Sequence, residues 1–144
     1  MILKDTQSRK YQLTINNPVE NEISHEVIKE RLEDCKSLVY YCMADEVAET
    51  GTPHTHIYVA FKSPVYFSRI KKLFPTAHIE PAFGTSAENR AYILKEGEKY
   101  ADKAETSVEG TFEEWGTLPA DVGRGFRSDL DMMYELIKDG KTTN

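Results

Sequence analysis

The chain has 144 residues, of which 40% are hydrophobic, and a formal net charge of −6. This length and composition can bury one hydrophobic core, so we expect one domain followed by a tail. A membrane-spanning protein is excluded because no apolar run is long enough, and residues 1–10 lack the apolar core of a signal peptide. Two cysteines, Cys35 and Cys42, are too few for a disulfide framework and predict reduced thiols in an intracellular protein.

The first predicted element is a β-strand over residues 11–16 that ends in a turn at Asn17-Pro18. Every second residue is apolar, so one face of the strand should lie against the core. The other face carries hydroxyl and amide side chains, which suit an ordinary half-buried strand and equally a surface for single-stranded nucleic acid. The core-facing residues are Tyr11, Leu13 and Ile15, and the polar ones are Gln12, Thr14 and Asn16.

A helix is predicted next, over residues 21–36, with Ser24 as its cap. Its buried stripe consists of Val27, Ile28, Leu32 and Cys35. A strand over 38–46 follows, and the turn-rich segment 50–53 leads from it into another strand. These two strands are predicted to pair as an antiparallel hairpin.

The most informative motif is His54-Thr55-His56, at the start of the second hairpin strand. Strand alternation puts both imidazoles on one face, where they are either metal ligands or two surface histidines beside a turn. The hairpin brings Asp45 or Glu46 opposite them, and alternation alone does not decide which. Two imidazoles and one carboxylate suit Mn²⁺ or Mg²⁺ acting on a phosphate, and would also accept Co²⁺ or Zn²⁺.

A short helix over 66–74 and a strand over 77–83 follow the hairpin. Pro81 within the strand predicts an edge position or a bulge. The helix should pack through Phe67, Ile70 and Leu73. Residues 62–72 contain cations and no acid, so local phosphate contacts could outweigh the negative net charge. The cations are Lys62, Arg69, Lys71 and Lys72.

A third helix is predicted to begin at a capping box formed by Thr85 and Glu88 and to stop at Gly97. Glu88, Tyr92 and Lys95 share one of its faces. Tyr92 fits an ordinary packing role, but a phenolate beside a metal could also attack a phosphodiester, with Lys95 as the stabilising cation. The predicted apolar stripe consists of Ala87, Ala91 and Leu94.

A last short strand over 110–115 completes the order β-α-β-β-α-β-α-β. This order predicts an α+β fold with helices against one face of a central five-stranded antiparallel sheet, of the ferredoxin-like, RRM-related kind. Residues 1–117 would form this domain, and 118–144 a linker and an amphipathic helix capped by Ser128. The helix must fold back or meet a partner to bury its stripe, which consists of Leu130, Met133, Leu136 and Ile137.

Three of these stretches, in this order, resemble the HUH endonuclease domain of replication initiator (Rep) proteins from small circular single-stranded DNA replicons. Circoviruses, geminiviruses, nanoviruses and related plasmids carry this domain. Residues 14–18, Thr-Ile-Asn-Asn-Pro, resemble the first family motif, His54-Thr55-His56 the second, and Tyr92-Ile93-Leu94-Lys95 the third. The resemblance implies that Glu46, which precedes His54 by eight residues, is the carboxylate ligand in place of Asp45.

The resemblance also implies an activity. Glu46, His54 and His56 would hold Mn²⁺ or Mg²⁺, and Tyr92, assisted by Lys95, would attack DNA. The resulting 5′-phosphotyrosine would allow sequence-specific nicking and joining at the start and end of rolling-circle replication. We expect the single strand to be held by six residues near the first motif: Arg9, Lys10, Gln12, Thr14, Asn16 and Asn17.

The partners that this resemblance implies are single-stranded DNA at an origin stem-loop, a host polymerase and a helicase. The helicase would be separate or lie in a further domain, because no Walker A pattern occurs here. The C-terminal helix would support a homo-oligomer, and no membrane contact is expected. The location would be the host nucleus for a eukaryotic virus, or the cytoplasm for a bacterial plasmid.

Two other functions compete with this interpretation. An RRM-like module could bind nucleic acid without catalysis, through Tyr40 and Tyr58 on an open sheet face. A metallohydrolase could use the metal site while Tyr92 only packs. The role of Tyr92 separates the three.

Overall fold

The computed structural model describes residues 5–48, 50–95 and 107–120. Five strands and three helices follow one another in the predicted order. They are β1 (Gln7–Asn16), α1 (His25–Glu33), β2 (Leu38–Val47), β3 (Pro53–Tyr66), α2 (Phe67–Leu73), β4 (His78–Pro81), α3 (Ser86–Leu94) and β5 (Glu113–Gly116).

All five strands join one antiparallel sheet, in the order β4-β1-β3-β2-β5. This confirms the predicted α+β class with a central five-stranded antiparallel sheet. β2 and β3 form the predicted hairpin, and Pro81 ends an edge strand. In the register, Glu46 lies opposite His54 in the hairpin, and Thr14 of β1 lies opposite His56.

The two faces of the sheet are covered by different helices. Tyr11, Leu13 and Ile15 face the main core together with residues of α1 and α2. On the other face, Tyr58 is fully buried and Ile93 of α3 packs in the same cluster. The prediction that the helices lie against one face is therefore wrong for α3, which covers part of the second face.

The helices are shorter than predicted. Ser24 caps α1 as expected, its hydroxyl accepting from the Val27 N–H, but residues 21–24 precede the helix. Thr85 and Glu88 form the predicted capping box of α3. That helix ends at Leu94 because Lys95 adopts the left-handed conformation, with φ +60°. The predicted stop at Gly97 lies outside the described residues.

Two further features bear on the class of protein. Cys35 and Cys42 are both buried free thiols. Among the described residues, each helix is too short or too polar to cross a bilayer. The predicted C-terminal helix over 128–138 falls outside the part of the chain that the structure describes.

Candidate metal centre and active site

Glu46, His54 and His56 converge on the sheet face that α3 partly covers. Strand pairing places Glu46 beside His54, and the period of two puts His56 on the same face. His56 Nδ1 lies 2.7 Å from Glu46 Oε2, and His54 Nε2 lies 3.5 Å from Oε1. One ligand atom from each side chain lies within 4.8 Å of the others. Two imidazole nitrogens and one carboxylate oxygen at this separation fit a divalent cation.

Asp45 points away from this cluster. Its carboxylate accepts a hydrogen bond from Thr55 Oγ1 at 2.8 Å and contacts His25 Nε2 at 2.8 Å on the opposite face of the sheet. Because adjacent strand residues point to opposite faces, only one of the two acids can face both histidines. The geometry brings Glu46 to them.

The Glu46 side chain is buried and yet charged. Burial by itself raises the pKa of a carboxyl group, but the contacts with His56 and Lys95 outweigh it and lower the pKa of Glu46 to about 2. The carboxylate is therefore anionic at any physiological pH. An anionic oxygen beside two imidazoles is the state that a cation ligand requires.

Tyr92 and Lys95 lie against the same cluster. The Tyr92 ring stacks on His56 with a centroid distance of 5.9 Å and an interplanar angle of 24°. Lys95 Nζ lies 4.1 Å from the centroid of the Tyr92 ring and 3.0 Å from Glu46 Oε2. Although Lys95 is only 8% exposed, its ammonium thus has both an aromatic face and a carboxylate beside it.

The position of α3 on the sheet is set by polar contacts. Tyr58 Oη and Ser86 Oγ are 2.6 Å apart, and Gln12 Nε2 donates to Asn89 Oδ1 at 2.5 Å. The residues of α3 buried against the sheet are Ser86, Asn89 and Ile93. The predicted stripe of Ala87, Ala91 and Leu94 is wrong, since none of the three is buried.

The six residues expected to hold DNA have different positions. Thr14 and Asn16 lie opposite His56 and His54, and Arg9 is exposed at the start of β1. Gln12 instead holds α3, and Lys10 Nζ donates to the Gly84 carbonyl at 2.6 Å. Asn17 forms the turn after β1, with φ +50° and its N–H bonded to the Pro53 carbonyl at 2.8 Å.

A charged cluster that was not predicted from the sequence lies on the opposite face of the sheet from Glu46, His54 and His56. His25 at the start of α1 contacts Asp45 through Nε2 and Glu113 of β5 through Nδ1, at 2.8 and 2.6 Å. Lys29 also pairs with Glu113. The only sequence signal was a histidine next to a helix cap, and nothing local to it indicates which strands it meets.

Two histidines and a glutamate on a sheet face, with a tyrosine helix across that face, define the HUH class of domain that the three motifs predicted. The profile of the viral replication protein family matches residues 8–96. The replication-associated protein of beak and feather disease virus is 39% identical over 62% of this chain and 30% of its own length. The replication-associated protein of pigeon circovirus is 33% identical over 96% of this chain and 37% of its own length. The master replication protein of milk vetch dwarf virus is 32% identical over 90% of this chain and 36% of its own length.

The chain belongs to the viral replication protein family, because that profile covers more than half of it. It spans roughly a third of the length of these relatives, between 30% and 37%.

Proposed function

We propose that this protein nicks and rejoins single-stranded DNA during rolling-circle viral replication, with Tyr92 as the nucleophile. The observation that carries the proposal is the stacking of Tyr92 on His56, at the edge of the Glu46–His54–His56 cluster. A packing role for Tyr92 alone would not require two imidazoles and a buried anionic carboxylate at its side. The names of the relatives, which are replication proteins, support the same function.

The reaction is a phosphodiester exchange. Tyr92 Oη forms a bond to the phosphorus as the bond to the 3′ oxygen breaks, leaving a 5′-phosphotyrosine and a free 3′-OH. The phenolic proton is lost and the departing oxygen gains one, so no net charge or redox change occurs. A later 3′-OH can reverse the exchange and release Tyr92, which closes a strand without ATP.

Glu46, His54 and His56 would hold the divalent cation, and we propose Mn²⁺ or Mg²⁺. When bound, such a cation supplies polarisation of the phosphate that Tyr92 attacks. Lys95 would assist the same attack, because its ammonium lies over the Tyr92 ring and can stabilise the negative charge of the phosphate and phenolate.

The DNA strand would cross the open part of this sheet face. Thr14 and Asn16 lie beside the histidines and offer hydrogen-bonding groups, while Arg9 and Lys10 supply cations near the start of β1. Asn17 would shape the turn at the end of this surface. Gln12 donates to Asn89 of α3, so we propose that it supports this surface by holding the helix.

Residues 1–117 would form the nicking domain, and the remaining steps would involve other components. We propose origin stem-loop DNA as the substrate, with a host polymerase and a helicase acting on the products. Residues 118–144 would lead into a segment for self-association. The host nucleus is the location expected for a protein related to replication proteins of eukaryotic viruses.

The binding-module alternative required two aromatic rings on an open face. Tyr40 and Tyr58 are 1% and 0% exposed, packed in the cluster with Ile93 of α3. Their rings are therefore inaccessible to bases while α3 is docked, which favours the nuclease.

Incubation with stem-loop single-stranded DNA and Mn²⁺, followed by a denaturing gel, tests the proposal. We expect a protein–DNA adduct that carries the 5′ phosphate side of the cleaved strand and that EDTA prevents. Cleavage in EDTA would remove the metal from the mechanism. Cleavage without any adduct would favour the metallohydrolase, in which Tyr92 only packs.

A further inference from the structure

The turn between β4 and α3 exposes the aromatic ring of Phe83, which is 83% accessible to solvent. Phenylalanine is among the residues most often buried in folded proteins. Of the other large hydrophobic side chains in the described ranges, only Val19, at 87%, is comparable, and Tyr66 follows at 50%. A single exposed apolar residue is common, so the support and the position of this ring determine its meaning.

The backbone around Phe83 is held on both sides. The Ala82 N–H donates to the Lys10 carbonyl at 2.9 Å, and Asn89 Nδ2 donates to the Phe83 carbonyl at 2.8 Å. Lys10 Nζ bonds the next carbonyl, that of Gly84, whose φ of +81° a glycine adopts without strain. The ring therefore extends from a fixed turn, and a ligand that binds it loses little free energy to ordering the protein.

This turn belongs to the face that carries the active site. Ala82 packs in the cluster beneath α3, with Tyr58 and Ile93. Tyr92 follows Phe83 by nine residues, mostly helical, which at ~1.5 Å per residue is a path of roughly 14 Å. Double-helical DNA rises ~3.4 Å per nucleotide in each strand, and an unpaired strand can extend further, so the path corresponds to at most about four nucleotides.

The chemistry of the turn matches an unpaired nucleotide. A phenyl ring makes no hydrogen bond and suits a flat, apolar partner such as the face of a base. The Lys10 ammonium lies at the Gly84 carbonyl, so a cation stands beside the turn for the adjoining phosphate. The ring alone would suit any apolar partner and the cation alone any anion, whereas a nucleotide offers a flat base and a phosphate together.

We propose that Phe83 is a stacking platform for one unpaired base of the DNA strand, a few nucleotides from the phosphate that Tyr92 attacks. This rests on the proposed function and adds a contact that none of the three motifs contains. Stacking tolerates any base, so the ring would fix the path of the strand and leave the choice of sequence to other groups.

The test measures affinity for an unstructured, fluorescently labelled single-stranded oligonucleotide by anisotropy. All variants carry Tyr92→Phe in the full chain, so that no DNA is cleaved. Phe83→Ala should weaken binding by roughly 5- to 150-fold, the range for loss of one base–aromatic stack. Phe83→Trp should bind at least as tightly as the parent. Val19→Ala, which removes an equally exposed apolar side chain, should have no effect.

An abasic scan identifies the partner of the ring. The scan uses a set of oligonucleotides that each lack one base. At one position, removal of the base should weaken binding by the parent but not by the Phe83→Ala variant. Equal affinity of Phe83→Ala and the parent on every oligonucleotide would overturn the platform. If Phe83→Ala altered only self-association, measured by light scattering, the ring would be a protein contact and the platform would again be wrong.

The wild-type chain separates this result from the proposed function. Adduct formation by the wild type, together with unchanged binding by Phe83→Ala, would reject the platform alone. Binding of DNA that depends on Phe83, without adduct formation, would keep the platform and reject the nuclease. Absence of any DNA binding by the wild type would reject both.

Discussion

Lys95 connects the two halves of the candidate site. Its ammonium lies between the Glu46 carboxylate, at 3.0 Å, and the face of the Tyr92 ring, at 4.1 Å from the centroid. The left-handed conformation of this residue ends α3 and turns the chain at the cluster. A buried cation without a partner would be costly, and the ion pair gives the Lys95 ammonium a partner of opposite charge in Glu46.

Replacing Tyr92 by Phe should abolish both cleavage and the covalent adduct while leaving DNA binding nearly intact. The change removes one oxygen and keeps the ring that stacks on His56. Tyr66→Phe is the matched control, because Tyr66 is also partly exposed but lies at the end of β3, away from the cluster. Adducts on a denaturing gel provide the measurement. An adduct formed by the Tyr92→Phe variant would assign the nucleophile to another residue.

Glu46→Gln and Asp45→Asn form a second matched pair, because the two acids are neighbours on opposite faces. Glu46→Gln should lose cleavage at ordinary Mn²⁺ concentrations, as should His54→Ala and His56→Ala. Asp45→Asn should keep the metal requirement but lose about 1–3 kcal/mol of unfolding free energy, since it weakens the contacts with His25 and Thr55.

Metal titrations of cleavage and urea unfolding measure the two effects separately. The opposite pattern, with loss of metal-dependent cleavage in Asp45→Asn and full cleavage in Glu46→Gln, would reverse the choice of carboxylate.

Among the secondary-structure elements, the strands followed directly from the sequence and the packing of α3 did not. Strand alternation places Leu13 and Ile15 in the core and His54 and His56 on one face, because the side-chain period of two is fixed by the backbone. For α3, hydrophobicity favoured an alanine stripe. The helix instead buries Ser86 and Asn89, which find hydrogen-bond partners on the sheet. A pattern of hydrophobicity alone does not identify such partners.

The sequence of β2 also indicated that both faces of the sheet are covered, but the alternating pattern of the other strands obscured this. In β2, Tyr40, Tyr41, Cys42 and Met43 are consecutive and all buried, which is typical of a strand covered on both sides. Alternation likewise did not decide whether Asp45 or Glu46 is the carboxylate ligand. The eight-residue spacing to His54 in the family motif favoured Glu46. The contacts of His25 depend on β5, far along the chain, and so had no local signal.

His25 should make stability depend on pH, because it joins α1 to β2 and β5. Burial lowers the pKa of His25, but the contacts with Asp45 and Glu113 outweigh this and raise it above its usual value; Lys29 also faces Glu113. A raised pKa in the folded state means that the stabilisation is complete below about pH 6.5 and is lost as the pH rises through the folded-state pKa.

We therefore expect His25→Gln to cost on the order of 1–3 kcal/mol at pH 5.5 and clearly less at pH 9. Urea unfolding of both proteins across this range measures the difference, with His78→Gln as the control, since His78 is exposed and its ion-pair partner in the described part of the chain is Glu80, two residues away. A difference between the parent and His25→Gln that is constant with pH would mean that His25 acts as a neutral residue.

β5 is the last strand of the described domain in chain order. Trp115 stacks on Tyr41 with centroids 5.8 Å apart, and the Thr117 N–H bonds the Val39 carbonyl at 3.1 Å. Gly116 has φ +90°, and a side chain there would meet Val39 O at 2.1 Å. Within the described residues, the last backbone contact with the sheet is that of Thr117, two residues before Pro119.

A chain truncated after Pro119 should therefore form the adduct with stem-loop single-stranded DNA as well as the full chain does. It retains all three motifs and β5, and removes only residues 120–144. A chain cut after Thr111 is the contrasting control: it loses Glu113 and Glu114, the partners of His25 and Arg90, and should unfold at lower urea concentration. Neither the full chain nor the 1–119 chain should cleave relaxed duplex, because the sequence has no Walker A pattern to power strand separation and the proposed attack by Tyr92 would need an unpaired phosphodiester.

Light scattering of the full and truncated chains completes this test, since the amphipathic segment after Ser128 should affect only self-association. A 1–119 chain that keeps the urea midpoint of its parent but loses the adduct would show that residues 120–144 support the active site. A monomeric full chain would remove the oligomer from the proposal and leave the nicking domain unchanged.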